Sequence, residues 1–115
     1  GPFVSATVFK VSTYDPQHLS SSAWAFAKLL IYDTELFFII ARESLIKLSG
    51  FTPQGLSNLA WSFATVSADG EILFRAISKE ATVSLHQFTP QELSNLVWAF
   101  ATCRLHDARL FDAVA

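Results

Sequence analysis

The sequence predicts an all-α fold, an α-solenoid of stacked antiparallel helix pairs. Three observations predict it. First, one pattern occurs three times: Tyr14–Ala27 reads YDPQHLSSSAWAFA, Phe51–Ala64 reads FTPQGLSNLAWSFA, and Phe88–Ala101 reads FTPQELSNLVWAFA. Second, Pro16, Pro53 and Pro90 stand 37 residues apart, and Trp24, Trp61 and Trp98, Phe26, Phe63 and Phe100, and Phe37, Phe74 and Phe111 keep that interval without an insertion. A unit of this length is the size of a helical solenoid repeat. Third, the apolar positions inside each unit recur at helical spacing, on two successive segments.

Taken in order, the chain opens inside a unit. Residues 1–13 read as the end of the second helix of a preceding repeat, because Phe3–Thr13 aligns with Ile40–Gly50. Gly1–Pro2 has the form of a scar left by a cleaved tag. Repeat 1 then covers 14–50, repeat 2 covers 51–87, and repeat 3 covers 88–115 and stops within its second helix. Each repeat begins with several helix-start signals. Asp15, Thr52 and Thr89 are N-caps, and a proline follows at the first helical position. Tyr14 with Leu19, Phe51 with Leu56, and Phe88 with Leu93 form hydrophobic staples, and Glu92 completes a capping box with Thr89.

The first helix of repeat 2, helix A, is expected to run to about Val66. Leu56, Leu59, Ala60, Phe63, Ala64 and Val66 cover one broad apolar arc, with Trp61 on its edge. An arc of that width suits a helix packed on more than one side. A link through Asp69–Gly70 leads to helix B. Asp33 and Asp107 hold the position of Gly70, and all three residue types cap helices. Leu73, Phe74, Ile77, Ala81 and Leu85 are expected on the buried face of helix B. Arg75, Ser78, Lys79 and Thr82 are expected on the solvated one.

Composition limits the function classes. The chain has 115 residues, 51% of them hydrophobic and only 16% charged. That excludes a disordered chain. The longest apolar runs, Leu29–Tyr32 and Leu36–Ala41, are far shorter than the roughly 20 residues of a membrane helix. No signal peptide is visible. The single cysteine, Cys103, excludes an internal disulfide and a multi-thiolate metal site. The net charge of −2 supplies no basic excess. For so small a chain this apolarity implies faces or ends covered by something else. His18, His86 and His106 hold three different repeat positions, so no metal cluster is expected. No paired carboxylates, nucleophile–base set or glycine-rich phosphate loop recurs. The expectation is a binding protein and not an enzyme, with no cofactor and no small-molecule substrate.

The PQxLSNxxWAFA pattern, with a phenylalanine before it and a Leu-Phe pair after it, resembles the octotricopeptide and heptatricopeptide repeats, and the period of 37 favours the second. The resemblance covers nearly all of the chain from Tyr14. The first copy departs from it with Ser21 in place of Asn and Ser22 in place of Leu. The resemblance implies single-stranded or ribosomal RNA as a partner, in mitochondria or plastids. The roles it implies are transcript processing, stability, translation or the organellar ribosome.

The residues themselves offer a narrow uncharged polar strip on helix A. It comprises Gln54, Asn58 and Thr65 in repeat 2, Gln91, Asn95 and Thr102 in repeat 3, and Gln17, Ser21 and Lys28 in repeat 1. Spacings of four and seven residues put each set on one side of its helix. Amide side chains both donate and accept, so they can pair with base edges. The competing reading is structural: Gln54 covers the first turn and Asn58 bonds a neighbouring helix. Trp24, Trp61 and Trp98 can stack bases, but inter-repeat packing, with Trp61 mostly buried, is the expected role. A second candidate surface lies in repeat 1. Ile31 and Tyr32 in its link, and Phe38 in helix B, are apolar where the other repeats are polar. An apolar patch on a solvated face marks a protein interface. The alternative function is therefore a structural solenoid that grips protein in a large complex, as armadillo-type arrays do.

Overall fold

A computed structural model of the chain describes residues 13–103. These form five helices of 13 residues each: α1 (Pro16–Lys28), α2 (Thr34–Ile46), α3 (Pro53–Thr65), α4 (Glu71–Val83) and α5 (Pro90–Thr102). Single 3-10 turns at Leu48–Gly50 and Leu85–Gln87 follow α2 and α4. Among the described residues there is no strand, and the fold is the all-α helical array that the repeat predicts. No helix among them is long and apolar enough to cross a membrane. The expected helix end before Thr13, the Asp107 cap and Phe111 lie outside the described residues.

The helices start where the sequence says and for the stated reasons. The N–H of His18 donates to Asp15 Oδ1 at 2.8 Å, and that of Gly55 to Thr52 Oγ1 at 3.0 Å. At α5 the capping box is complete: the N–H of Glu92 donates to Thr89 Oγ1, and the N–H of Thr89 donates to Glu92 Oε1. Asp33 caps α2 through the N–H of Leu36, whereas Gly70 gives α4 no side-chain cap. A Cβ at Gly70 would stand 3.0 Å from the Phe63 ring, so packing there takes precedence over capping.

Two layers result. The first helices, α1, α3 and α5, stack directly on one another, while α2 and α4 touch each other far less. The first layer is tight because small residues line it: Ser20, Ala23 and Ala27 on α1, and Gly55, Ser57, Ala60 and Ala64 on α3, are all buried. The contact repeats in register. Ser20 of α1 faces Gly55 of α3, where an added Cβ would lie 3.7 Å from the serine oxygen. One repeat on, Ser57 donates to the carbonyl of Glu92, the Gly55 counterpart, at 2.9 Å.

Edge-on phenylalanines join the layers. Phe37 of α2 meets Phe63 of α3 at 5.1 Å, and Phe74 of α4 meets Phe100 of α5 at 5.2 Å. Each pair links the second helix of one repeat to the first helix of the next, which explains why both phenylalanine columns keep the 37-residue interval. All four rings are fully buried.

Three burial expectations change. Ser78 is buried, not solvated, and Thr82 is partly buried. Arg75 and Lys79 are exposed as expected, but the face between them turns toward neighbouring helices. Leu85 falls in a 3-10 turn beyond the end of α4 and packs against the core from there. Glu43, adjacent to Arg42, is a buried carboxylate held by Lys47 Nζ at 3.2 Å and Arg42 Nε at 3.7 Å. Lys47 also donates to the carbonyl of Tyr14, tying the end of α2 to the start of the repeat.

Candidate nucleic-acid interface

The proline at the first helical position sets the helical phase of the strip. It starts each first-layer helix at the same residue, so the second, sixth, ninth and thirteenth residues fall on one stripe. In α1 these are Gln17, Ser21, Trp24 and Lys28. In α3 they are Gln54, Asn58, Trp61 and Thr65, and in α5 they are Gln91, Asn95, Trp98 and Thr102. Steps of four, three and four residues keep each set within about 60° of arc. The tryptophan therefore stands on one edge of the polar strip, between the sixth and thirteenth residues along the axis.

The structure brings four of the expected residues together. Gln17, Ser21, Gln54 and Asn58 line one groove of about 530 Å³ between α1 and α3, with Asp15, Ser20, Thr52 and Gly55. Gly55 lies in its lining where the chain is tightly packed: an added Cβ would stand 3.3 Å from the Phe51 ring and 3.4 Å from Thr52 Oγ1. The groove wall mixes hydroxyl, amide and carboxylate groups with the apolar Pro16 and Phe51, without a lysine or arginine. On α5, Gln91 Nε2 donates to Asn95 Oδ1 at 3.1 Å, so these two amides orient each other and leave an outward acceptor and donor.

Other members behave differently. Thr102 is exposed, but the Thr65 hydroxyl is buried without a hydrogen-bond partner and does not face a ligand at the surface. Ser62, beside the strip in sequence, is fully buried and donates to the carbonyl of Asn58. Lys28 is exposed, with its ammonium 5.4 Å from the Trp24 ring centre. It is the only lysine or arginine on a first-layer helix among the described residues.

The tryptophans keep their expected inter-repeat packing role only in part. Trp61 is partly buried, but Trp24 and Trp98 are 42% and 46% exposed. Trp61 and Trp98 meet across repeats, with ring centres 6.5 Å apart and planes tilted by 32°. The four-three-four spacing carried this signal in the sequence. Weighing each indole as a large apolar side chain hid it.

The second-layer side has the opposite character. Arg42, Arg75 and Lys79 stand there, and Arg75 is paired with Glu71 at 3.0 Å. Ile31, Tyr32 and Phe38 are all exposed, Phe38 by 64%. Tyr32 leans edge-on against Phe37. Phe38, Ala41 and Leu45 of α2, with Ile72 of α4, line an apolar groove of about 470 Å³, with Arg42 on one side and Asp69 and Glu71 on the other. Partial burial pushes the Cys103 thiol up from its ordinary pKa. Among the described residues no group of three His, Cys, Asp or Glu side chains is placed to hold a metal ion.

The profile of the RNA-editing substrate-binding complex 6 protein matches residues 6–115. The chain belongs to that family. Membership places it among helical proteins tied to RNA processing and to a multi-component assembly. No curated protein matches the chain.

Proposed function

We propose that this chain is a non-catalytic RNA-binding solenoid within an RNA-editing assembly, and that it holds single-stranded RNA along the first-layer strip. The observation that carries the reading is the groove between α1 and α3, where Gln17, Ser21, Gln54 and Asn58 converge and where Gln91 and Asn95 continue the series. Uncharged amides on a repeat interval suit base edges, and stacked helical repeats of this kind read about one base per unit. The family's own description, an RNA-editing substrate-binding complex, supports a role on RNA. Of the two organelles implied by the repeat resemblance, it favours the mitochondrion. Kinship with heptatricopeptide-type repeats belongs to the same proposal and rests on the 37-residue motif.

Electrostatics shape how such binding behaves. With one cation on the strip, phosphate contacts are few, so affinity should fall only shallowly with salt. Three repeats address about three bases, which gives weak binding unless neighbouring chains extend the track. Replacing Asn58 and Asn95 together by alanine in the full chain should lower affinity for single-stranded RNA and flatten its base preference. Unchanged affinity and preference, with helicity retained, would transfer the strip to a structural role.

A protein-binding reading applies to the opposite side. It is favoured by the exposed Ile31, Tyr32 and Phe38 and by the apolar groove beside Phe38. The two readings are compatible, since they use different faces of one array.

A further inference from the structure

The strip contains every tryptophan of the chain. Indoles in a fold held together by phenylalanine pairs are not needed to fill the core, and Trp24 and Trp98 do not fill it. They stand outward, flanked by Ser21 and Lys28 on α1 and by Asn95 and Thr102 on α5. We infer that Trp24, Trp61 and Trp98 form a stacking ladder for unpaired nucleobases, with one base seated between the rings of Trp61 and Trp98. This rests on the RNA-binding reading above and names the contact that supplies its affinity.

Such a seat needs two facing rings a set distance apart. Stacked bases rise about 3.4 Å each, so two planes roughly 6.8 Å apart enclose one base. The two indole centres are 6.5 Å apart with their planes tilted by 32°, so seating a base between them requires the rings to turn into parallel, facing planes. At the other end Lys28 lies over the Trp24 ring. A base stacking there displaces the ammonium, which then stands beside the incoming strand where a phosphate arrives. Stacking is tolerant of base identity because every base has a π-face. The neighbouring amides Asn58 and Asn95 then read the edges of what the rings hold. Ladder and amides thus divide the work into holding and reading. A duplex hides its base faces, so the ladder selects single strands.

The experiment uses the full chain and its own three tryptophans as the probe. Single-stranded oligoadenylate should quench indole fluorescence, and a duplex of the same length should not. Trp98→Leu, at an exposed site, should weaken oligoadenylate binding about 5- to 150-fold, the range that base–aromatic stacking covers, while Trp98→Phe should keep most of the affinity. Circular dichroism checks that both variants stay folded. If Trp98→Leu binds as the parent does while the Asn58→Ala, Asn95→Ala pair loses affinity, the ladder is wrong and the RNA reading stands. If neither variant matters, or no RNA quenches, the strip is not an RNA site at all. Quenching by an extended peptide in place of RNA would assign the ladder to a protein backbone. Equal quenching by duplex would also overturn the proposal.

Discussion

The two layers of this array are built from the same repeat yet differ in nearly every surface property. On the first layer, small side chains let helices touch along their length, and the outward stripe is amide, hydroxyl and indole with one lysine. On the second layer the helices stand further apart, the lysines and arginines gather, and Phe38 and Ile72 meet solvent. Close packing gives the first layer a rigid, evenly spaced surface, which a periodic ligand needs. Loose packing leaves the second layer with clefts that apolar partner segments can enter. On the proposed reading, recognition of RNA and attachment to an assembly fall on opposite sides of the array.

The largest expected effect breaks the joint between the layers. Phe63 is fully buried, meets Phe37 edge-on and fills the space that Gly70 leaves open. Phe63→Ala should cost about 3–5 kcal/mol, read as a lowered unfolding midpoint in urea. In a stack this short that is a large part of the total stability. A smaller loss tests the tight layer alone. Ser57→Ala removes the bond to the Glu92 carbonyl across α3 and α5 and should cost about 1 kcal/mol. A loss that large at a residue with so small a side chain would show that the first layer depends on close approach.

The looser layer should respond in the opposite direction. Ser78 is buried with its hydroxyl unpartnered, so Ser78→Ala should be neutral or stabilise by up to about 1 kcal/mol in the same measurement. The smallest change in stability belongs to the exposed patch. Ile31→Ser with Phe38→Ser should shift stability by no more than about 0.5 kcal/mol. The pair should nonetheless abolish co-purification of the chain with its native assembly. Stability lost together with partner binding would mean the patch belongs to the core.

Helix starts were legible because their physics is local. A cap, a proline and a staple lie within six residues, and Asp15, Thr52 and Thr89 all accept the N–H bonds expected of them. Helix ends were less legible. Leu30 and Ser67 both take a left-handed backbone, with φ of 55° and 56°, and close six-to-one turns through the N–H groups of Ile31 and Ala68. Glycine normally signals that turn, and neither residue is one. Ser78 was misread because its burial is set by helices from other repeats, which no local pattern encodes. At the site, the convergence of Gln17, Ser21, Gln54 and Asn58 between α1 and α3 follows from periodicity, whereas the exposure of Trp24 and Trp98 is a tertiary fact. Their place on the strip was present in the spacing alone.

The central claim is that RNA runs along the first layer and not the second. Photo-crosslinking of 4-thiouridine-labelled single-stranded RNA to the full chain, followed by peptide mapping, tests it directly. The account predicts adducts within Pro16–Lys28, Pro53–Thr65 and Pro90–Thr102, centred on the tryptophans and their neighbouring amides. Adducts concentrated instead in Thr34–Ile46 and Glu71–Val83, beside Arg42, Arg75 and Lys79, would contradict it.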